Sequence, residues 1–371
     1  MTPAEDPVSR LTEFIQQKIA EDHFPGAVFL VFRQGEGVVK SAHGLAVVRP
    51  QPIPMKLDTI FDLSSLTKPL ITALLTVLMA QEGTINMEDE VGRFLPQFSD
   101  PRKRELTLID LLTHRAGFPD WLPLYLFGSS MVDYLRHLNQ IPLLYQPRRR
   151  VVYSCIGYII LGEILSRVAG MGLDELALQM IIRPLKLTRT MFHPPFSLKQ
   201  VIAATEESNR YERERVREQG IDYKGYREGV IWGEVHDQNA YSLGGVSGNA
   251  GLFSSADDLL RLAAQLLPEG EFLFPLYREL FFRNFTPGLE EDRSIGWQLA
   301  STPGSSAGHH LHPSSIGHTG FTGTSIWIAP HTRAVYILLT NRIHPYYRGE
   351  NLNQLRRDFH RLASRLFSLE S

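Results

Sequence analysis

Cysteine is nearly absent: Cys155 is the only one in 371 residues. No intrachain disulfide can form, and nothing marks an oxidising compartment. Charge of neither sign dominates, with 38 Lys and Arg against 40 Asp and Glu, so the basic field that nucleic acid demands is missing. The densest charge run, Tyr211 to Glu218, alternates in sign and is expected to be a solvated surface segment. Long apolar runs are lacking too. The longest, Leu70 to Ala80, has 11 residues, well short of the roughly 20 of a spanning helix, and reads as a buried helix. The start, MTPAEDPVSR, is acidic and without the apolar stretch of a secretory signal. The expectation is a cytoplasmic protein with no membrane span, no nucleic-acid partner and no cofactor. What is present, 43% hydrophobic and 21% charged residues, is the composition of a globular enzyme.

Periodicity gives the organisation. Leu11, Phe14, Ile15 and Ile19 share one face of a helix over 9 to 20. Ala27 to Phe32 and Gly37 to Ser41 flank a turn at Gln34-Gly35 and read as a hairpin. Helical patterns then dominate, at 65 to 82, 107 to 115, 156 to 169, 173 to 182 and 256 to 267. Strand-like stretches return at Ile295 to Leu299, Ser325 to Ala329 and Ala334 to Thr340, and a helix closes the chain from about 352 to 368. Strands at both ends imply an α+β fold: one antiparallel sheet flanked by the terminal helices, with an inserted, mostly helical lobe. The sheet lobe would take residues 1–63 and 290–371 and the helical lobe 64–289, interleaved in one catalytic domain, with the site in the cleft between them.

Three short motifs carry chemistry. In Asp62-Leu63-Ser64-Ser65-Leu66-Thr67-Lys68-Pro69, the proline is tolerated only in the first turn of a helix, which puts Ser65 at its N-terminus. Lys68 follows on the same face, within reach of the Ser65 hydroxyl. Serine needs a base to become a nucleophile, and lysine serves only when burial and neighbouring cations lower its pKa. Ser-x-x-Lys alone is a common helix cap, but none of the other seven lysines has a serine three residues before it. Tyr153, in Val151-Val152-Tyr153-Ser154-Cys155, precedes an apolar helix and could relay a proton; alone it would read as a core aromatic. His318-Thr319-Gly320 leads into Phe321 and the strand at 325, where Gly320 would let substrate lie against the strand edge and His318 and Thr319 would offer donors to a carboxylate.

The order of these motifs, separated by 88 and 165 residues, resembles that of class C β-lactamases, low-molecular-mass penicillin-binding proteins and family VIII esterases. Their signatures are Ser-x-x-Lys, Tyr-x-Asn and Lys/His-Thr-Gly. The stretches at 233 to 240 and 341 to 345 look most like a penicillin-binding protein 4B-like branch. The resemblance implies a β-lactamase/transpeptidase-like fold and an acyl-enzyme on Ser65, with Lys68 and Tyr153 sharing the proton transfers. It also implies an oxyanion hole from the backbone N–H groups of Ser65 and Phe321. Two positions depart from the pattern. Cys155 stands where an amide is usual, and a thiol is a weaker hydrogen-bonding group, which argues against efficient β-lactam hydrolysis. His318 replaces lysine, making the charge offered to a carboxylate dependent on pH.

Two competing signals are set aside. Gly304-Ser305-Ser306-Ala307-Gly308 matches a nucleophile elbow in letters, but lies in a small, polar stretch that reads as a loop. His309, His310, His312 and His318 lack a carboxylate at helical spacing, so no metal site is expected. The expected partner is a small ester, amide or peptide, and the expected activity that of an esterase or D-amino-acid peptidase. The alternative is a catalytically degraded penicillin- or peptide-binding protein.

Overall fold

The computed structural model describes residues 6–367. Residues 1–5 of the acidic start, and Ser368 at the end of the expected closing helix, lie outside the described residues. The N-terminal helix, Pro7–Ala20, is capped by Asp6 and buries Leu11 and Ile15, two of the four residues that define its apolar face. The hairpin forms from β1 (Gly26–Arg33) and β2 (Gly37–Val47), and β3 (Ile53–Pro54) extends it. After the helical block come β6 (Gln298–Leu299), β7 (Ile316–Thr319), β8 (Ser325–Ala329) and β9 (Ala334–Thr340).

These strands form one antiparallel sheet in the order β3-β2-β1-β9-β8-β7-β6. The two ends of the chain meet at the β1–β9 seam, where Ala27 lies opposite Thr340 and Arg33 opposite Ala334. Side chains alternate across the sheet as the two-residue strand period requires. Val28, Leu30, Ile326, Ile328, Val335, Ile337 and Leu339 face the helical block. Ala27, Phe29, Val31, Trp327, Tyr336 and Leu338 face the terminal helices, where they pack with Leu11, Ile15 and Phe359. The sheet thus divides two apolar cores, and the helix Asn353–Ala363 covers its outer face beside the first helix.

A short second ladder that periodicity does not reveal pairs β4 (Phe61–Asp62) with β5 (Phe253–Ser254). It ties the segment entering the nucleophile motif to a chain section almost 200 residues later. Other expectations are corrected. The segment 65 to 82 is a 3₁₀ turn (Ser64–Leu66), a π-helical stretch (Lys68–Ala73) and an α-helix (Leu74–Gln81). Pro69 has no N–H for the carbonyl of Ser65, so a regular first α-turn cannot close there. The stretch 295 to 299 keeps only Gln298–Leu299 as strand, because Gly296 turns at φ +79° against Pro69 and Ala73. The segment 107 to 115 is α-helical only over Leu108–Leu112. The charge-rich run is the helix Arg210–Arg217, and it is not wholly solvated: Glu212 and Val216 are buried. Among the described residues, no single helix is long and apolar enough to cross a membrane.

Candidate active site

Ser65 emerges from the turn that follows β4, after Ser64 has taken the left-handed backbone conformation at φ +49°. Asp62 sets this turn by accepting from the Ser64 N–H at 2.8 Å, while its other oxygen accepts from the His236 N–H at 2.7 Å. One turn on, Lys68 is fully buried. Its Nζ donates to Ser65 Oγ at 3.0 Å and to the carbonyl of Asn249 at 3.0 Å. Tyr153 closes over the pair, with Lys68 Nζ 5.1 Å from its ring centroid. The Tyr153 hydroxyl is buried without a hydrogen bond of normal geometry. It is nevertheless near enough to Lys68 and Ser65 for both to favour its phenolate. Cys155 begins the helix Cys155–Ala169 beside Lys68 and Asn249.

The proton inventory corrects the expected electrostatics. Burial pushes the Lys68 ammonium down, but Cys155, Tyr153 and Asp237 outweigh it, and its pKa lies above the ordinary lysine value. Burial raises the Tyr153 phenol and the Cys155 thiol, with Lys68 opposing the shift at each. Each of these directions depends on the charge of the other two, so Lys68, Tyr153 and Cys155 titrate as one coupled unit. A free base exists only once the cluster has lost a proton.

His318 is placed by β7, in the wall above Ser65, and differs from its expected role. Its Nδ1 contacts the carbonyl of Thr319 at 2.9 Å, so that nitrogen carries a proton. Burial, Arg293 and Lys68 hold the imidazole well below its ordinary pKa, leaving the ring neutral. The unpartnered Nε2 is then a lone-pair acceptor and cannot donate to a carboxylate. At Gly320 the structure adds a second reason for the missing side chain. A Cβ there would sit 2.5 Å from the carbonyl oxygen of Leu63 and 2.2 Å from Thr324 Oγ1. Its missing side chain admits the protein's own nucleophile segment against the end of β7, while Gly320 itself still lines the cavity beside Ser65.

The backbone N–H of Phe321 has no partner among the described residues, and that of Ser65 stands in the 3₁₀ turn Ser64–Leu66. The Gly320–Phe321 peptide is held by Gly323, whose N–H donates to the Gly320 carbonyl at 3.1 Å. The Phe321 ring lies 4.8 Å from Tyr211, 5.1 Å from Tyr347 and 5.6 Å from His236. His236 is paired with Glu206 at 2.8 Å in a buried contact.

A cavity of about 360 Å³ rises from Ser65 and Tyr153, lined by His318, Thr319, Gly320 and Phe321 and also by Arg293, Arg342 and Arg356. None of the three arginines was singled out from sequence. Arg356 had a readable signal: on the helix Asn353–Ala363 it shares the buried face with Leu355, Phe359 and Ala363, and an arginine inside an apolar stripe must be turned inward. His114, Asn249 and Asp237 were missed as well. His114 packs 4.6 Å from the Tyr153 ring, and its Nδ1 accepts from the Ser154 N–H at 3.0 Å, fixing the backbone between Tyr153 and Cys155. The nucleophile-elbow look-alike is a loop whose Ser306 accepts from Trp327 Nε1 at 3.1 Å. His318 lies on β7, apart from His312, which stacks on His331. Among the described residues no group of three or more His, Cys, Asp or Glu could hold a metal ion.

A Ser-Lys-Tyr cluster whose lysine is fully buried, beside the N–H groups of Ser65 and Phe321, can transfer an acyl group. Comparison with known proteins agrees in kind. Residues 11–360 match the family model described as Beta-lactamase. A protein of Escherichia coli (strain K12) described as "Putative D-alanyl-D-alanine carboxypeptidase" is 31% identical over 365 residues, covering 91% of this chain and 82% of that one. The "N-acetylmuramyl-L-alanine amidase" of Bacillus subtilis (strain 168) is 32% identical over 363 residues, covering 90% and 81%. Among solved structures, "EstCE1, a hydrolase with promiscuous acyltransferase activity" superposes with a TM-score of 0.72 at 22% identity, over 95% of this chain and 98% of that one.

Proposed function

The chain belongs to the beta-lactamase family of serine hydrolases, and on that premise we propose that it cleaves a carboxylate-bearing peptide, amide or ester through an acyl-enzyme on Ser65. The observation that carries the reading is the 3.0 Å contact from the buried Lys68 ammonium to Ser65 Oγ. In the proposed cycle, Lys68 and Tyr153 share the vacancy left when the cluster loses a proton. The Ser65 proton passes into it as Oγ attacks the substrate carbonyl, and the oxyanion takes the N–H groups of Ser65 and Phe321. Collapse returns the proton to the leaving nitrogen or oxygen, and water then releases the acyl group by the reverse path.

The cationic cavity beside Ser65 supports a substrate with a carboxylate near the scissile bond. The name of the E. coli relative, "Putative D-alanyl-D-alanine carboxypeptidase", points the same way, and that of the B. subtilis relative, an amidase, fits an amide substrate. Cys155 argues for an esterase or D-amino-acid peptidase over an efficient β-lactamase, because a thiol cannot hold a substrate amide as a side-chain amide would. Cys155 also favours a second reading, a protein that is acylated once and stalls.

Intact mass, with product release followed in parallel, separates these for wild type and Ser65→Ala given a nitrophenyl ester, an N-acyl-D-alanyl-D-alanine peptide and a penicillin. The expected result is ester and peptide turnover with a transient adduct, slow penicillin turnover, and loss of activity by about 10³-fold or more in Ser65→Ala. An adduct that never clears on any substrate supports the stalled binder. Equal activity of the two proteins refutes the assignment.

A further inference from the structure

We propose that the cavity above Ser65 seats a ligand with two carboxylates, held between Arg342 and Arg356. That the ligand is a substrate or product rests on the hydrolase reading; its charge rests on the cavity itself. The lining contains three guanidinium groups and no Asp or Glu. Arg293 is already paired, with Glu291. Arg342 and Arg356 pair with no carboxylate among the described residues.

Their hydrogen bonds fix their planes without neutralising them. Arg342 donates from Nε to the Phe321 carbonyl at 2.8 Å and from Nη1 to the Glu350 carbonyl at 2.9 Å. Arg356 donates to the Thr324 carbonyl at 3.3 Å and, marginally, to Asn353 Oδ1 at 3.5 Å. Arg356 is only 4% exposed, and its Nε has no partner. Two like charges act on each other here, with Arg356 buried and Arg342 balanced only by the faces of Phe321 and Tyr347 and the field of Glu350, an arrangement that favours the arrival of anions. The guanidinium fork matches a carboxylate in a two-point contact. One carboxylate answers one arginine; the pair calls for two.

His318 narrows the chemistry further. Its unpartnered Nε2, on a ring lining the same cavity, accepts but does not donate. That corner therefore favours a substrate N–H over an anion. An N–H beside two carboxylates describes an amide-linked acidic amino acid at the end of a peptide-type ligand.

The test is calorimetric titration of the full chain with glutarate and with valerate, matched in chain length, alongside inorganic phosphate. Protection of Ser65 from a fluorophosphonate reports whether binding occurs in this cavity. Glutarate is expected to bind at least about tenfold more tightly than valerate and to slow Ser65 labelling. In Arg342→Gln and in Arg356→Gln the glutarate-to-valerate ratio should collapse towards one. Equal binding of the two acids to the wild type overturns the inference, as does tight glutarate binding that leaves labelling unchanged. Phosphate binding more tightly than glutarate would mean a compact dianion site and overturn the two-carboxylate assignment. A preserved glutarate preference in a protein that turns over no ester or peptide would defeat the hydrolase reading and leave the anion site standing.

Discussion

At Lys68 two large effects oppose each other. Burial disfavours the ammonium, while the potential anions Tyr153 and Cys155, with Asp237, favour it and win. Tyr153 and Cys155 are raised by burial and Lys68 by the charges of its neighbours, so the cluster holds its protons as a unit. Each is raised, so the basic form is absent at low pH and gained as pH rises. Acylation by a neutral ester should therefore climb from neutral to mildly alkaline pH, as stopped-flow rates would show. His318 is already neutral across that range, and burial with the Arg342 charge lowers Arg356 only to about 9. The ratio of acylation rates for carboxylate-bearing and neutral esters should then stay flat between about pH 6.5 and 8. A ratio that fell with an imidazole-like titration would restore the cation to His318. Ser65 and Lys68 were legible because three residues of helix bring side chains together whatever surrounds them. The tautomer of His318 was not, since one hydrogen bond and a buried environment decide it.

Among elements, the end of β7 does the most with the least. Gly320 lies so close to the Leu63 carbonyl and Thr324 Oγ1 that even a methyl group has no space. Gly320→Ala must push β7 away from the nucleophile turn and open the gap between the Ser65 and Phe321 N–H groups. Loss of one such donor costs on the order of 10²–10³ in kcat, and a loss of that size is expected, measured as turnover of a neutral ester. A variant within twofold of wild type would show that the two N–H groups tolerate the shift. The glycine was visible in the His-Thr-Gly signature, but its reason was not: the crowding atoms come from residues 63 and 324, one of them more than 250 positions away. The π-helical stretch after Ser65 was not legible, since Pro69 reads as the first turn of a regular helix, and the β4–β5 ladder had no periodicity to announce it, being two residues long on each side.

Over the whole molecule the sheet separates two cores with different duties. The face towards the helical block backs the site, whereas the face towards the terminal helices packs Leu11, Ile15, Phe29 and Phe359. Leu11→Ala should cost about 2–5 kcal/mol of stability through the cavity it leaves. Denaturant unfolding would measure that loss, and kcat/KM of the folded protein should stay within about twofold of wild type. A large loss of kcat/KM without a loss of stability would show that the outer layer shapes the site. The helix Asn353–Ala363 is the exception to this division, since Arg356 on its buried face reaches the cavity.

The residue order alone determined the α+β class, the pairing of terminal strands around a helical insertion, and the Ser-Lys, Tyr and His-Thr-Gly motifs. Each of those rests on a local period or on a spacing along the chain. Tertiary structure alone decided the coupling of Lys68 to Tyr153 and Cys155, the tautomer of His318, the crowding at Gly320, and the convergence of Arg293, Arg342 and Arg356 on one cavity. These depend on burial and on neighbours far apart in the chain, and electrostatic energies follow distance and dielectric through space, which no local pattern encodes.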